Sequence, residues 1–544
     1  LTHPYTITSV TSSWEDGIAS GDVYYPLVDY GLDGTDPTTN PIQFGGTVGK
    51  VDNSTTPMQI TQFKPSVRVK AIMDRIFDSA GYQYESTFFD SAEFQTIYTL
   101  TTANDKLGIT NNQSQDAGFS SKKTGTQTFT GAFDSNVPVT FNEEIYDPGS
   151  SYNPVTSEFT IATNGVYAFK SAMQFFKTTV GKLSVFTVEL IKNGSTVLAS
   201  QYFDIANNGA GTMNFTSAGF NLVAGDTIKL QATWEGYDVG LNPIDLDVLS
   251  SSTFGTIYAP VLLVGADVDM GAQFDPTIKA LDFLKGIIQK FNLVIEPKKN
   301  QRNTLIIEPF DTWADQGVVK DWSSKYDRAT KVSVKHPIQS QPQTVTFTDG
   351  FDGDALTDYS KNNFDSELPY GGISYVSDSD IPQGERKVGG FFSPLPTKGV
   401  PQGSGIIIPH LYRKDGADNK SFKFKPRIGY RINNRASVGA LTGQFYVYDA
   451  QAVASVPINI YSTISSIQSY PVGSSNSLHY DAGRWYPFHQ NQSDGKTPLG
   501  AFNNYWGRYM NELYDESARI LTLNMQFDPI ELKDIQLNDK IFID

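Results

Sequence analysis

The apolar positions of the chain predict two helices of the same design. In KPSVRVKAIMDRIFDSAG, apolar residues recur at three- and four-residue steps, and Gly81 stands where a C-terminal cap belongs. In DPTIKALDFLKGIIQKFNLVIEP, Asp275 can cap the helix and Pro276 suits its first turn. The predicted buried stripes are Val69, Ile72, Met73, Ile76, Phe77 and Ala80 in the first helix, and Ile278, Leu281, Leu284, Ile287, Ile288 and Phe291 in the second.

Short strands are predicted directly after these helices. YQYESTFF follows the first helix, and the second is followed by LVIEP, a polar KKNQRN turn and TLIIEP, which together predict a tight β-hairpin. A third helix is predicted from Phe502 to Leu513, before the alternating strand ILTLNMQF. The closing DKIFID reads as a strand. Residues 340–420 are rich in Asp, Gly, Ser and Pro, which predicts long surface loops.

The middle of the chain has a different pattern. From about Phe133 onward, strands recur every ten residues or so and are separated by turn pairs such as Asn193-Gly194 and Gly225-Asp226. This spacing predicts a β-sandwich of about 130 residues. Within it, the stretch FTIATNGVYAF (159–169) places an Asn-Gly pair between two apolar runs, and its local pattern predicts a hairpin.

The order of turn and aromatic landmarks in this sandwich resembles the jelly roll shared by complement globular heads and tumour-necrosis-factor-like cytokines. The landmarks are Phe141, Tyr146, Phe159, Gly165, Tyr167, Phe169, Gly194, Gly225, Asp226 and Phe254-Gly255. The resemblance covers residues 128–260. It implies a homotrimer that binds proteins or sugars through exposed loops and has no enzymatic activity. The alternative is a sandwich that only spaces or decorates a larger particle.

The sequence on either side of the sandwich is similar to phage tail proteins of the hub and baseplate type. The similar phrases are VYYPLVDYG at 23–31, the paired helices, VVKDWSSKYD at 318–327 and the closing segment that ends in IQLNDKIFI. This resemblance implies a hub-like β-barrel with α+β units, so we expect a mainly β protein with minor α. If the sandwich is excised, the two helix-strand segments approach each other in sequence, which predicts that the jelly roll is inserted, a departure from well-known hubs. The resemblance also implies a place in the virion and partners among other tail and baseplate proteins.

The predicted organisation has five parts. They are an N-terminal β segment (1–60), a first helix-strand unit (61–127), the jelly roll (128–260), a second helix-strand unit (261–330) and a β-rich hub-like region with long loops and a helix near 502–516 (331–544). Because Leu1 is not an initiator Met and the chain ends in a predicted strand, we expect it to be part of a longer product.

The composition of the chain excludes or disfavours several classes of function. The 544-residue chain has a net charge of −16, which would repel a phosphate backbone, so nucleic acid is not an expected partner. It has no Cys, which excludes disulfides and thiolate catalysis. No run approaches the ~20 apolar residues that span a bilayer, so no membrane span is predicted.

Catalytic motifs are missing from the sequence. There is no GxSxG elbow, no phosphate-binding Gly-Lys-Ser/Thr loop and no GxGxxG after a strand. The histidines, at positions 3, 336, 410, 479 and 489, have none of the short spacings that let two imidazoles share a metal. We therefore predict no enzymatic activity, no catalytic residue and no required cofactor.

Two weaker ligand sites can be named. Calcium favours close carboxylates, and DGFDGDALTD crowds Asp349, Asp352, Asp354 and Asp358 into one Gly-rich stretch, although the EF-hand order is missing. The alternative is a solvated acidic loop. For Asp29, Asp33 and Asp36 the alternative to a metal site is a set of turns, because Asp-Gly and Asp-Pro start turns. Trp234 and Tyr237 in TWEGYD form an aromatic-acidic cluster that suits stacking on a sugar; the alternative is that they are core aromatics.

The sequence thus favours a structural virion protein of a phage tail tip or baseplate, acting in assembly and in attachment to a host surface glycan or protein. One alternative is a bacterial cell-surface adhesin, which would carry a signal peptide and an anchor in flanking sequence. The other is a carbohydrate-active enzyme, which would need a pair of carboxylates lining a cleft in the region 340–500.

Overall fold

The computed structural model divides the chain into two compact units. The sandwich unit comprises Thr2–Thr6 and Lys106–Ala272, and the flanking unit comprises Leu1, Ile7–Asp105 and Gln273–Asp544. The structure describes residues 1–15, 17–31, 58–101, 118–130, 133–162, 164–179, 184–205, 209–217, 220–237, 244–258, 267–363, 371–399, 407–415, 418–420, 422–435, 444–448, 453–457, 461–465, 476–481 and 500–544. Within these ranges, no helix is long and apolar enough to cross a bilayer.

The sandwich unit contains two antiparallel sheets. Sheet A has the strand order Glu143–Tyr146, Ser120–Lys122, Thr253–Tyr258, Gly165–Lys177, Leu246–Val248 and Gln127–Phe129, with Ala210–Thr216 and Phe220–Leu222 also paired to Gly165–Lys177. Sheet B has the order Tyr152–Asn153, Glu158–Thr160, Thr227–Gly236, Ser184–Lys192 and Thr196–Asp204, with Phe133–Pro138 also paired to Thr227–Gly236. A small pair, His3–Pro4 with Asp267–Val268, completes the unit.

Period-two alternation builds the core between these sheets. In the strand Ser184–Lys192, Phe186, Val188 and Leu190 are buried while the residues between them are partly exposed. Aromatic rings fill much of the interior, and the Phe119 and Phe159 rings stack with centroids 4.3 Å apart. The predicted β-sandwich is confirmed.

The stretch FTIATNGVYAF is not a hairpin, so the local prediction was wrong. Phe159 pairs with Ile228 in sheet B, whereas Gly165 pairs with Leu222 in sheet A. The segment therefore crosses from one sheet to the other, and the side chain of Asn164 accepts a hydrogen bond from the Ala224 amide at the crossing. The Asn-Gly pair predicted the change of direction but not the strand partners, which lie more than fifty residues further along the chain.

The predicted helices are present in the flanking unit. The helix Val69–Ser79 buries Val69, Met73 and Phe77, and Gly81 follows it with φ +73°. The helix Ala280–Phe291 begins later than predicted, because Asp275 closes a separate turn by accepting a hydrogen bond from the Thr277 amide at 2.9 Å. Leu281 is consequently 56% exposed, although it was expected in the buried stripe.

The strands that follow these two helices belong to one sheet. Leu293–Pro297 and Thr304–Pro309 form the predicted antiparallel hairpin, which is confirmed. Gln83–Glu85, which follows the first helix, pairs in parallel with Thr304–Pro309. The two helix-strand segments, although separated by almost 200 residues, therefore form a single α+β element.

The third predicted helix is also confirmed, as a π-helical turn at Phe502–Trp506 continued by an α-helix at Gly507–Tyr514. The remaining helices described in the flanking unit are Ile7–Ser12, Phe310–Asp315, Ala355–Asn363 and Pro529–Asp534, with 3₁₀ turns at Ile60–Gln62, Phe94–Thr96 and Pro337–Ser340. A further 3₁₀ turn is Met270–Gln273. The terminal strand is confirmed as Lys540–Phe542, which pairs in parallel with Val319–Asp321.

The other sheets of the flanking unit are small and open. The largest has the order Val23–Tyr24, Ser66–Arg68, Ile97–Leu100, Ile428–Arg435 and Tyr461–Ser465. Three strands form each of the sheets Ile373–Val376, Thr344–Thr348, Glu385–Gly389 and Met58–Gln59, Gln444–Tyr448, Val453–Pro457. Pairs are formed by Thr397–Gly399 with Ile407–Pro409, Arg413–Asp415 with Asp418–Lys420, and Ser333–Lys335 with Ile520–Thr522.

Two expectations for this unit were wrong. No sheet in the described ranges closes on itself, so the hub-like β-barrel is not found there; strands of two to eight residues do not provide the continuous, staggered pairing that closure needs. Residues 340–420 are also more than loops. Val345 and Phe347 alternate with outward threonines in Thr344–Thr348, a run too short for the sequence pattern to reveal. The protein is nevertheless mainly β with minor α.

Candidate functional site

A single row of residues crosses four strands of sheet A. Tyr146 pairs with Ser120, Ser120 with Gly255, and Gly255 with Lys170. Residues that are direct partners point to the same face of a sheet, and this is the outer face, because the alternate residue Phe254 is buried in the core.

The row forms a depression, because the two outer side chains are long and the two inner positions are nearly empty. Tyr146 is 53% exposed and Lys170 is exposed, whereas Ser120 is short and Gly255 has no side chain. The resulting cavity measures about 450 Å³. Its lining consists of Gly118, Phe119, Ser120, Tyr146, Lys170, Thr253, Phe254, Gly255 and Thr256.

The neighbouring backbone requires glycine at the floor of the depression. A Cβ on Gly255 would lie 2.8 Å from the carbonyl oxygen of Phe119. That carbonyl is fixed, because it accepts a hydrogen bond of 3.0 Å from the Thr256 amide while the Phe119 ring packs in the core. In the Phe254-Gly255 landmark, the Phe254 side chain packs in the core and Gly255 leaves space on the outer face of the sheet.

The depression offers three kinds of contact to a ligand. The Tyr146 ring supplies an apolar face, the Lys170 side chain supplies a cation, and Ser120 and Thr253 supply hydroxyl groups. On the next row, the Lys122 ammonium lies 2.8 Å from the Glu143 carboxylate and forms a charged rim. A small polar ring that carries hydroxyl or carboxylate groups, such as a sugar, fits this combination.

Three further landmarks are parts of one turn assembly. Asp226 is buried, and its carboxylate contacts the Lys192 ammonium at 2.7 Å and accepts hydrogen bonds of 2.9 Å from the Asn193 side chain and the Val223 amide. Burial alone would raise the Asp226 pKa, but these partners outweigh it and hold the pKa below its usual value. Gly194 and Gly225 supply the left-handed backbone, with φ of +77° and +93°.

The other landmarks are structural. Phe141, Phe159, Tyr167 and Phe169 are buried in the core of the sandwich, and Gly165 begins the strand Gly165–Lys177. Among the landmark residues, Tyr146 is the one that the fold leaves exposed beside a cavity.

The structure contradicts the suggested role of Trp234 as a stacking platform. Trp234 lies in the strand Thr227–Gly236 and is completely buried, and its indole N–H donates a hydrogen bond of 3.1 Å to the Ile244 carbonyl. The ring covers Gly236, where a Cβ would lie 2.3 Å from it. Tyr237 is partly exposed, but the buried Trp234 does not form the predicted surface cluster with it. Alternation within the strand explains the inward direction of the tryptophan.

The acidic stretch beginning at Asp349 is not a solvated loop. Asp349 is buried between the Lys290 ammonium and the His479 ring, whose Nδ1 lies 3.1 Å from the carboxylate. Burial alone would raise the Asp349 pKa, but Lys290 and His479 outweigh it and hold the pKa below its usual value. Burial lowers the pKa of His479 in spite of the opposing hydrogen bond with Asp349.

The next two carboxylates of this stretch share a different cation. The guanidinium of the buried Arg427 lies 2.6 Å from the Asp352 carboxylate and 3.2 Å from that of Asp354. The carboxylates are therefore divided between two basic partners instead of converging on one calcium ion. In the described residues, no group of three or more His, Cys, Asp or Glu side chains could hold a metal ion.

Asp29 is also buried, with its carboxylate 3.1 Å from Nδ1 of His410 and accepting a hydrogen bond from the Gly31 amide. Asp33 and Asp36 lie outside the described residues. Sequence reasoning missed these ion pairs, because Lys290, Asp349 and His479 are far apart along the chain. It also missed the depression, since only strand register brings Tyr146 and Lys170 into one row.

A second cavity, in the flanking unit, measures about 560 Å³ and has Asp275 and Asp352 in its lining. Each carboxylate is already paired with a base, Asp275 with Lys423 at 2.7 Å and Asp352 with Arg427. Burial alone would raise the Asp275 pKa, but Lys423 and the Thr277 hydrogen bonds outweigh it and lower the pKa. A general acid for glycoside cleavage needs the opposite shift.

Comparison with known proteins identifies the domain that carries the depression. Residues 118–254 match the family model described as the C1q domain. Among solved structures, the globular domain of zebrafish complement 1qA protein is similar, with 20% sequence identity, a TM-score of 0.19, and coverage of 26% of this chain and 98% of that chain. No curated protein matches the chain. Residues 118–254 are therefore a C1q-like jelly-roll domain, whose sheet A carries the depression between Tyr146 and Lys170.

Proposed function

We propose that the C1q-like domain is a recognition module that binds a host surface glycan through the depression over Gly255. The observation that carries this proposal is the cross-strand row in which an exposed Tyr146 and Lys170 flank the small residues Ser120 and Gly255. The face of an aromatic ring beside a cation and hydroxyl groups suits a sugar.

The module would act as a homotrimer, the state implied by its resemblance to complement heads and cytokines. Three copies around one axis would present three depressions, and several weak contacts with a glycan-covered surface would add up to firm attachment. The C1q-domain match supports this part of the proposal.

The rest of the chain would be a structural component of a phage tail tip or baseplate, where it assembles with other tail proteins. Two observations support a host unit with an inserted module. The first is the single sheet formed by Gln83–Glu85 and Thr304–Pro309 across the intervening domain. The second is that two of the phage-like phrases, around Val319 and Lys540, pair with each other.

Purified virions test this placement. Peptide mass spectrometry should detect the chain in tailed particles, and cryo-electron microscopy should locate it at the tail tip with the C1q-like domain facing outward. Absence of the chain from the particles would contradict the virion role while leaving glycan binding by the domain open to its own test. The adhesin alternative predicts instead that the protein fractionates with a bacterial envelope.

A further inference from the structure

One folded part of the flanking unit has no hydrophobic core of its own. We call it the paired arm, and it consists of residues 318–335 and 515–544. It contains two small sheets and the helix Pro529–Asp534, which has a capping box formed by Asp528 and Glu531. All of its residues are described, and none of its hydrophobic side chains is buried.

The paired arm instead displays apolar side chains to solvent. Ten large hydrophobic residues are at least 40% exposed, and Leu537 and Ile530 reach 83% and 76%. The others are Val318, Val319, Val332, Val334, Ile520, Leu521, Leu532 and Phe542. A two-stranded sheet is marginally stable in water without a covered face, so this concentration of apolar surface indicates an interface.

The contacts that hold the two halves together are mostly polar. Lys320 is paired with Asp539 at 2.5 Å, Lys325 with Glu531 at 2.5 Å, and Arg328 donates a hydrogen bond to the carbonyl of Asp544. Partly exposed ion pairs of this kind align the two halves of the arm but contribute little to the free energy of unfolding. Each sheet of the arm has two strands in the described structure, which leaves outer edges open for another strand.

The charge of the paired arm indicates which partner covers it. Residues 318–335 contain five basic and two acidic residues, a net charge of +3, whereas residues 515–544 contain three basic and seven acidic residues, a net charge of −4. The arm as a whole is thus nearly neutral in a chain of −16, so two arms can approach without the repulsion that separates the rest of the surface. Each arm also has a basic half and an acidic half, which can pair with the opposite charges of a second arm.

We propose that the paired arm is completed by the paired arm of a second copy of this chain. Open edges and exposed apolar residues of one copy would be covered by those of the other. The basic half of each would face the acidic half of its neighbour, and the Leu537 side chains of the copies would meet near the symmetry axis. This inference concerns an interface in the flanking unit and does not rest on ligand binding at the depression, so the two can fail separately.

The 544-residue chain has no cysteine, which permits a direct test with the whole chain. Leu537→Cys is treated with a short bismaleimide at micromolar concentration, and Ile381→Cys, a 52% exposed apolar position elsewhere in the flanking unit, is the matched control. We expect a covalent dimer with Leu537→Cys alone. Cross-linking in neither variant, equally in both, or only in the control would overturn the proposal.

A second variant tests whether the cross-link reports a specific interface or non-specific contact between apolar surfaces. Ile530→Lys in the Leu537→Cys background places a charge in the proposed contact and should lower the cross-linked fraction by about tenfold. Because Ile530 is 76% exposed, its replacement should leave the circular dichroism spectrum of the chain unchanged. An unchanged cross-linked fraction would contradict an arm-to-arm interface.

Discussion

The side-chain amide of Asn193 donates a hydrogen bond of 2.9 Å to the carboxylate of Asp226, and this contact joins two turns of the C1q-like domain. The Asn193 carbonyl oxygen in the same side chain accepts from the Thr227 amide at 2.8 Å. One buried carboxylate thus fixes the ends of the adjacent strands Ser184–Lys192 and Thr227–Gly236.

Replacing Asp226 with alanine should destabilise the C1q-like domain. The change leaves the Lys192 ammonium and the Val223 amide without their acceptor, which should lower the free energy of unfolding by about 2–3 kcal/mol. Glu158→Ala is the matched control, because its pair with Lys229 is more exposed and should contribute less than about 1 kcal/mol. Calorimetry of the full chain measures both, and equal effects would contradict this account.

Trp234→Phe should affect stability without affecting a ligand. The Ile244 carbonyl would lose its buried hydrogen-bond donor, so we expect a loss of about 2 kcal/mol in the free energy of unfolding. Tyr237→Phe, at a partly exposed site, should change it by less than about 0.5 kcal/mol. Loss of glycan binding by folded Trp234→Phe would restore the tryptophan as a ligand platform.

The flanking unit should lose stability in mild acid because of His479. Burial, beside Lys290 and Arg427, lowers its folded pKa below the ordinary 6.5, so the unfolded chain takes up the proton first as pH falls. The contribution of His479 to stability is therefore fully present above pH 6.5. It is lost as the pH falls below 6.5, and the free energy of unfolding decreases by up to about 1.4 kcal/mol per pH unit. Asp349, whose folded pKa is also lowered, adds a further loss below its ordinary 3.8.

Urea unfolding at a series of pH values measures this loss. His479→Gln should flatten the profile just below pH 6.5, where the wild-type chain loses stability. A profile that is identical in the variant would show that another group is responsible.

Removing the charge of Asp349 tests the same cluster at neutral pH. Asp349→Asn leaves the Lys290 ammonium buried and unpaired, which should cost about 3–5 kcal/mol of unfolding free energy. Adding Lys290→Met should recover a large part of that loss, because no buried charge remains. Additive losses in the double variant, measured by urea unfolding, would contradict the pairing.

Local features of the chain could be predicted from sequence, and long-range partners could not. The hairpin at 293–309 and the helix Val69–Ser79 were correctly predicted, because hydrophobic periodicity and turn chemistry act over a few residues. FTIATNGVYAF shows the limit. Its residues Phe159 and Gly165 belong to different sheets, and their partners Ile228 and Leu222 cannot be chosen by a local pattern.

The candidate site shows the same limit. Tyr146 was recognised as a landmark, but Lys170 and Ser120 carry no signal until the register of four strands places them in one row. Trp234 was named as a residue that could stack on a sugar, because an aromatic residue beside acidic residues gives the same sequence pattern whether its side chain faces solvent or the core. Its burial follows from the inward phase of the strand Thr227–Gly236.

The most direct test of the recognition role is ligand-observed NMR of the full chain against a panel of neutral and acidic bacterial surface glycans. We expect saturation transfer to at least one glycan, and Tyr146→Ala should weaken its binding about tenfold while Lys170→Gln weakens acidic glycans more than neutral ones. Tyr202→Ala, a 62% exposed tyrosine on sheet B, should bind like the wild type. Binding that Tyr146→Ala leaves unchanged, or no binding across the panel, would contradict the depression over Gly255 as a glycan site.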